Sequence, residues 1–185
     1  QLRRLLQSCL ASVAVAPEGF VEFLDRAAAP LAMEVCGGVE LFEALPESDA
    51  ELEPLTTGEA AYLQYTSGST RFPRGVEMTQ EAALNNLREI CDHGVCVTED
   101  DRLVSWLPFY HDMGLVGFVL APLYRALSVH YLSPRTFAMR PRLWLKLISD
   151  NKGTVSSSPP TGYALCATRL READQQRYDL SSWRV

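Results

Sequence analysis

The chain has 185 residues, of which 47% are hydrophobic and 22% charged, with a net charge of −6. That length supports a sizeable core, and the balance is that of a soluble globular protein. No Lys/Arg-rich block marks a nucleic-acid binder, and the longest apolar run, Met113 to Tyr124, is broken by Pro122 and too short for a membrane span. Charge is unevenly spread. Residues 1–60 carry 3 basic and 11 acidic side chains, against 14 and 12 over 61–185, so an anionic ligand is better served by the second part. Five scattered cysteines, Cys9, Cys36, Cys91, Cys96 and Cys166, fit reduced thiols in the cytoplasm. The Cys91–Cys96 pair has no second ligand pair in sequence, so a helix end capped by Gly94 explains it better than zinc.

In chain order, Ala11–Ala16 predicts a strand, Glu18–Ala28 a helix with Phe20, Phe23 and Leu24 at helical spacing, and Leu31–Cys36 a strand. Pro46–Gly58 is acidic and proline-bearing and predicts a linker, which puts a subdomain boundary at 57/58. Ala60–Tyr65 and Gly75–Met78 predict strands around a polar loop. Thr79–His93 predicts a helix capped by Thr79. A strand over Arg102–Leu107, a helix over Met113–Tyr124 and a strand over Ser128–Leu132 follow. Then come a helix over Arg140–Asp150 with Leu143, Trp144 and Leu147 inward, a short strand over Thr154–Ser157 and a helix over Thr161–Arg169. Strands and helices in alternation predict an α/β fold of open, mostly parallel sheet units with helices on both faces. Ser182–Val185 predicts the start of a further strand, as though the chain were a piece of something longer.

Three strings carry chemistry. The first is Tyr65-Thr66-Ser67-Gly68-Ser69-Thr70-Arg71-Phe72-Pro73-Arg74-Gly75-Val76. Glycines let the backbone approach a phosphate, hydroxyls donate to it, and arginine neutralises it. It is not a P-loop, because Pro73 stands where the second glycine would be. No G-x-S-x-G elbow occurs anywhere in the chain. The string does resemble the signature YTSGSTGxPKGV of the adenylate-forming superfamily of acyl-CoA synthetases, peptide-synthetase adenylation domains and luciferases. Arg71 replaces the usual glycine and Arg74 the usual lysine. Arginine after SGST is similar to the fatty acyl-AMP ligase branch, which passes acids to carrier proteins.

The second string, Trp106-Leu107-Pro108-Phe109-Tyr110-His111-Asp112-Met113-Gly114, follows a strand and opens a helix. Ligands gather at the carboxyl ends of strands in open α/β sheets, and Asp112 suits the cap of the helix that follows. LPFYHDMGLVG resembles the family's second core motif. The third string runs from Thr154 to Tyr163, ending a strand and starting a helix at Pro160. It resembles the S-x-x-P segment that lines the acyl tunnel in the same branch, although Pro160 and Thr161 depart from the expected Asn-aromatic pair.

The resemblance covers nearly the whole chain and implies a role for each string. Thr66, Ser67, Gly68, Ser69, Thr70, Arg71, Arg74 and Gly75 would hold ATP phosphates. Tyr110, His111, Ser158, Pro159, Gly162 and Tyr163 would contact the acyl group. Arg74 and His111 would act in catalysis, and no protein ligand for a metal is named. The implied reaction activates a fatty or related carboxylic acid with ATP and Mg²⁺, for transfer to an acyl carrier protein. Rival readings are an acyl-CoA synthetase, an amino-acid adenylation domain, or an adenylation-like domain that only binds a partner. The family's adenine strand, ribose-binding Asp and catalytic Lys are expected beyond Val185, so the 185 residues resemble a central slice of the large N-terminal domain and are expected not to turn over alone.

Overall fold

The computed structural model describes residues 2–31, 33–37, 46–51, 53–66, 73–170 and 177–185. The chain forms two compact units, Gln1–Ala83 and Leu84–Val185.

The first unit opens with a helix that the sequence reading passed over, α1 (Leu2–Cys9), followed by β1 (Val13–Ala16), α2 (Glu18–Ala28), a 3₁₀ turn (Ala29–Leu31) and β2 (Glu34–Gly37). β1 and β2 pair in parallel, Val13 opposite Glu34. A parallel pair needs a crossover, and α2 supplies it, burying Leu24 and Ala28 one turn apart. The described residues of 46–58 hold no helix or strand. β3 (Ala60–Thr66) and β4 (Arg74–Thr79) then form an antiparallel hairpin, an exception to the mostly parallel pattern. Tyr65 belongs with α1: its hydroxyl lies 2.5 Å from Ser8 Oγ and donates to Leu5 O at 3.3 Å. Composition suggests a subdomain boundary at 57/58, and the compact units divide after Ala83, with these bonds tying the hairpin to α1 inside the first unit.

α3 (Gln80–Arg88) runs across that division. Thr79 Oγ1 accepts from Ala82 N at 3.2 Å, the cap that the sequence suggested. The helix loosens into a π turn, Glu89–Gly94. The extra residue carries the chain past Gly94, so Cys96, with φ 51°, takes the left-handed position expected of the glycine.

The second unit is built on β5 (Arg102–Ser105) and β6 (Ser128–Tyr131), paired in parallel. Leu103 bridges to Val155, also in parallel. Ser156 N donates to Val185 O at 2.8 Å and Val185 N to Thr154 O at 3.2 Å, so the last residues lie alongside Thr154–Ser156, although Ser182 is in a turn and 182–185 form no strand. Between β5 and β6, α4 (Asp112–Leu115) passes through a π turn (Val116–Leu120) into α5 (Ala121–Arg125). After β6 come α6 (Pro134–Met139), capped by Ser133 Oγ, then α7 (Arg142–Asn151) and α8 (Pro160–Arg169).

Successive strand residues face opposite sides, and the core follows. Leu103 and Val155 pack with Leu107 and Phe118 on one face. Val104 packs with Phe137, Trp144, Leu145, Ile148 and Cys166 on the other, which puts helices on both faces. The inward side of α7 is Trp144, Leu145 and Ile148, with Leu143 and Leu147 only half-buried flanks. Trp106 stacks on Phe137 at 3.7 Å between centroids, and Trp144 meets Phe137 and Trp183 edge-on. Trp144 is fully buried, and its Nε1 donates to Ser156 Oγ at 2.8 Å. That hydroxyl donates in turn to Val104 O at 2.5 Å.

Ser156→Ala would leave the Trp144 N–H buried without an acceptor. We expect it to destabilise the fold by about 2 kcal/mol, read as a lower midpoint at unchanged slope in urea denaturation of the intact protein.

Candidate active site

In the first unit the β3–β4 register sets Thr66 opposite Arg74 and Tyr65 opposite Gly75. A methyl at Gly75 would lie 3.2 Å from the Tyr65 ring, so glycine lets that ring cross the hairpin while its hydroxyl reaches α1. Thr66 and Arg74, both exposed, therefore stand together where the hairpin opens. Ser67, Gly68, Ser69, Thr70 and Arg71 lie outside the described residues.

In the second unit the chain leaves β5 through a tight turn. Ser105 Oγ accepts from Leu107 N at 3.1 Å, and Pro108 O from His111 N at 3.2 Å. Gly114 closes the turn: a methyl there would collide with Pro108 O and lie 2.9 Å from its carbonyl carbon. His111 is extended, with φ −112° and ψ 141°, at the position before α4. Asp112 is the first helical residue rather than the cap. Its Oδ1 accepts from Met113 N at 2.9 Å and lies 2.6 Å from His111 Nδ1. The carboxylate thus holds the ring through Nδ1. His111 is 62% exposed at its side chain, Tyr110 is exposed, and Phe109 meets Tyr131 edge-on at 5.0 Å.

The third string begins beside β5 at Val155 and runs into α8. Ser158 is buried and donates to Pro159 O at 3.0 Å. Pro159 precedes α8, and Pro160 begins it as expected. Gly162 is buried where a methyl would lie 2.7 Å from the Trp106 ring. Tyr163 stacks parallel to Trp183 and tilts onto Trp144 at 5.4 Å. Ser158, Gly162 and Tyr163 thus join the aromatic cluster.

What the sequence reading missed is a cavity of about 430 Å³ on the opposite face of the sheet. Asp112, Met113, Val116 and Gly117 line it from α4 and its π turn, Asn86 and Ile90 from α3 and the turn after it, and Val155, Ser157 and Val185 from the sheet. Val95 and Phe118 complete it. Its signal was legible as two periods. Residues 112, 113, 116 and 117 share a helical face, and 155 and 157 share a strand face. Asp112 brings the His111 turn to one end of the cavity. Gly117 lies five residues on, roughly 7 Å along the helix, where an added methyl would meet no atom within 4 Å.

A family model described as AMP-binding enzyme matches residues 3–185. A Caulobacter vibrioides protein that carries an acyl-CoA synthetase name is 39% identical over the whole chain, which covers 32% of it. A medium-chain-fatty-acid–[acyl-carrier-protein] ligase of Teredinibacter turnerae is 45% identical over 127 residues, 69% of this chain and 20% of that protein. Among solved structures, a chain from work on fatty acyl-adenylate ligases of E. coli and L. pneumophila superposes with a TM-score of 0.91 at 49% identity, covering all of this chain and 34% of that one. The chain thus spans about a third or less of the length of these relatives.

Gly114→Ala should break the turn that holds His111. Forcing a methyl against backbone costs about 3 kcal/mol, expected as a lower melting temperature with a displaced His111 ring signal in NMR spectra.

Proposed function

The chain belongs to the AMP-binding enzyme family, and on that footing we propose that the protein carrying it activates a fatty or related carboxylic acid with ATP. A carboxylate oxygen attacks the α-phosphorus, a new P–O bond forms, and the bond to the β-phosphate oxygen breaks. Pyrophosphate leaves with that electron pair and the acyl-adenylate remains. Such catalysis is positioning and charge neutralisation. Arg74, with Thr66, Gly75 and the loop residues Ser67–Arg71, would receive the departing phosphates, and its planar fork can grip two oxygens at once. Tyr110 and His111 would meet the acid near the reacting atoms. The observation that carries the reading is the apolar cavity lined by Asp112, whose carboxylate holds His111, together with Met113, Val116 and Gly117. We assign the acyl chain there, with Met113, Val116, Gly117 and Ser157 in contact. Ser158, Pro159, Gly162 and Tyr163 remain candidates for the acyl site through the packing that sets Ser157.

Among the described residues no group of three or more His, Cys, Asp or Glu could hold a metal. A Mg²⁺ ion would be carried mainly by phosphate oxygens, and no step is derived through it. None of the described helices is long and apolar enough to cross a membrane, and a cytoplasmic place suits the reaction. An acyl carrier protein is the proposed acceptor, supported by the acyl-carrier-protein ligase relative. Free coenzyme A is the second reading, supported by the acyl-CoA synthetase relative. For the whole protein, 57/58 is the proposed subdomain boundary, supported by the irregular stretch before it. The 185 residues alone are expected to release no pyrophosphate.

The test is acid-dependent pyrophosphate release by the whole protein over a series of chain lengths. Gly117→Leu should lower kcat/KM for the longest accepted acid by about tenfold or more while sparing short ones. Equal loss at every length would remove the cavity from acyl binding. Arg74→Ala should cost about tenfold or more at all lengths, as expected for a charge-assisted contact. His111→Ala should lower turnover with stability changed by less than about 0.5 kcal/mol, since the ring is exposed. Supplying either free coenzyme A or holo carrier protein separates the two acceptors by which one consumes the adenylate.

A further inference from the structure

One side of the cavity is made by Val95, Val155 and Val185, and all three are tied through backbone to one ion pair. Asp101 is only 4% exposed. Its carboxylate accepts from Arg184 Nε at 3.0 Å and Nη2 at 2.6 Å, from Thr154 Oγ1 at 2.6 Å, and from Thr98 N at 2.7 Å and Oγ1 at 3.2 Å. Hydrogen bonds from Arg184, foremost, hold that carboxyl well below the usual carboxylate range. The other side of the guanidinium donates to Val95 O at 2.9 Å and Cys96 O at 3.1 Å. Arg184 N donates to Thr154 O at 2.9 Å. The pair therefore grips Val95 directly and the residues beside Val155 and Val185. Only a guanidinium can reach two carbonyls and a carboxylate together, because its donors spread in a rigid plane; a lysine ammonium has one centre.

We propose that Asp101 and Arg184 are positioning residues that set the valine wall of the cavity, and through it the fit of the acyl chain. The part concerning the acyl chain rests on the function proposed above. The wall itself does not, so the experiment reads the two separately. The whole protein is compared with Arg184→Lys, which keeps the cation and loses the fork, and with Thr154→Val, which removes the hydroxyl that donates to Asp101 and accepts from Arg102 N. The methyl signals of Val95, Val155 and Val185 in valine-labelled protein report the wall. KM for acid against KM for ATP reports its use.

Both variants should shift the three valine signals and raise the acid KM about fivefold, with the ATP KM and kcat within about twofold. Thr154→Val should give the smaller effect. Should Arg184→Lys not fold, Thr154→Val carries the test. Unmoved valine signals in a folded variant would overturn the proposal, as would an unmoved acid KM or an equal loss toward acid and ATP. An unmodified protein that releases no pyrophosphate with any acid would instead overturn the function, and the valine signals would still decide the wall.

Discussion

The hydrogen-bonded chain from Trp144 through Ser156 to Val104 is the constraint on which the second unit turns. It buries an indole N–H and a serine hydroxyl between α7 and β5 and satisfies both. An unsatisfied donor at that depth would cost more than the bond is worth in water. Because Ser156 must face Trp144, Val155 and Ser157 must face the other way, since side chains alternate along a strand. One serine thereby decides which residues line the cavity and which join the aromatic cluster. A slip of one residue would exchange the two sets.

A comparable economy governs the hairpin. Tyr65 lies across Gly75 and reaches Ser8 and Leu5 with its hydroxyl. With that ring held, the register that pairs Thr66 with Arg74 is fixed at the hairpin's open end. The apolar half of the tyrosine packs and the polar tip anchors, as suits a residue with one wet and one dry end. Thr66 and Arg74 therefore keep a fixed register across the hairpin.

The alternation of strands and helices was legible because each element carries its own period. The α4 pattern, the Pro160 start and the Thr79 cap all stand where the sequence put them. What was not legible depends on neighbours. α1 has too short a pattern to announce itself. Cys96 takes a left-handed conformation because a π turn ahead of it adds a residue, which no propensity encodes. Asp112 stands one place later than a cap because Gly114 must clear Pro108. The turn at His111 stands after β5 and before α4, the strand-to-helix position that its sequence announced. That Ser157 lines the cavity was not legible, because it depends on Ser156 being held by Trp144, twelve residues before it.

The two π turns bear on why a cavity exists at all. Each lies in a helix that faces it: Ile90 sits in Glu89–Gly94, and Val116, Gly117 and Phe118 sit in Val116–Leu120. A π turn widens the helix and disturbs its ladder, which is why it is rare outside functional places. The Tyr131 hydroxyl donates to Phe118 O inside the second turn, giving that carbonyl a partner from β6. Phe109 packs edge-on against the same Tyr131 ring. One aromatic residue thus supports both the distorted helix that lines the cavity and the loop that presents His111. The apolar space and the turn that carries His111 are therefore both tied to one strand residue, and moving either would disturb the other.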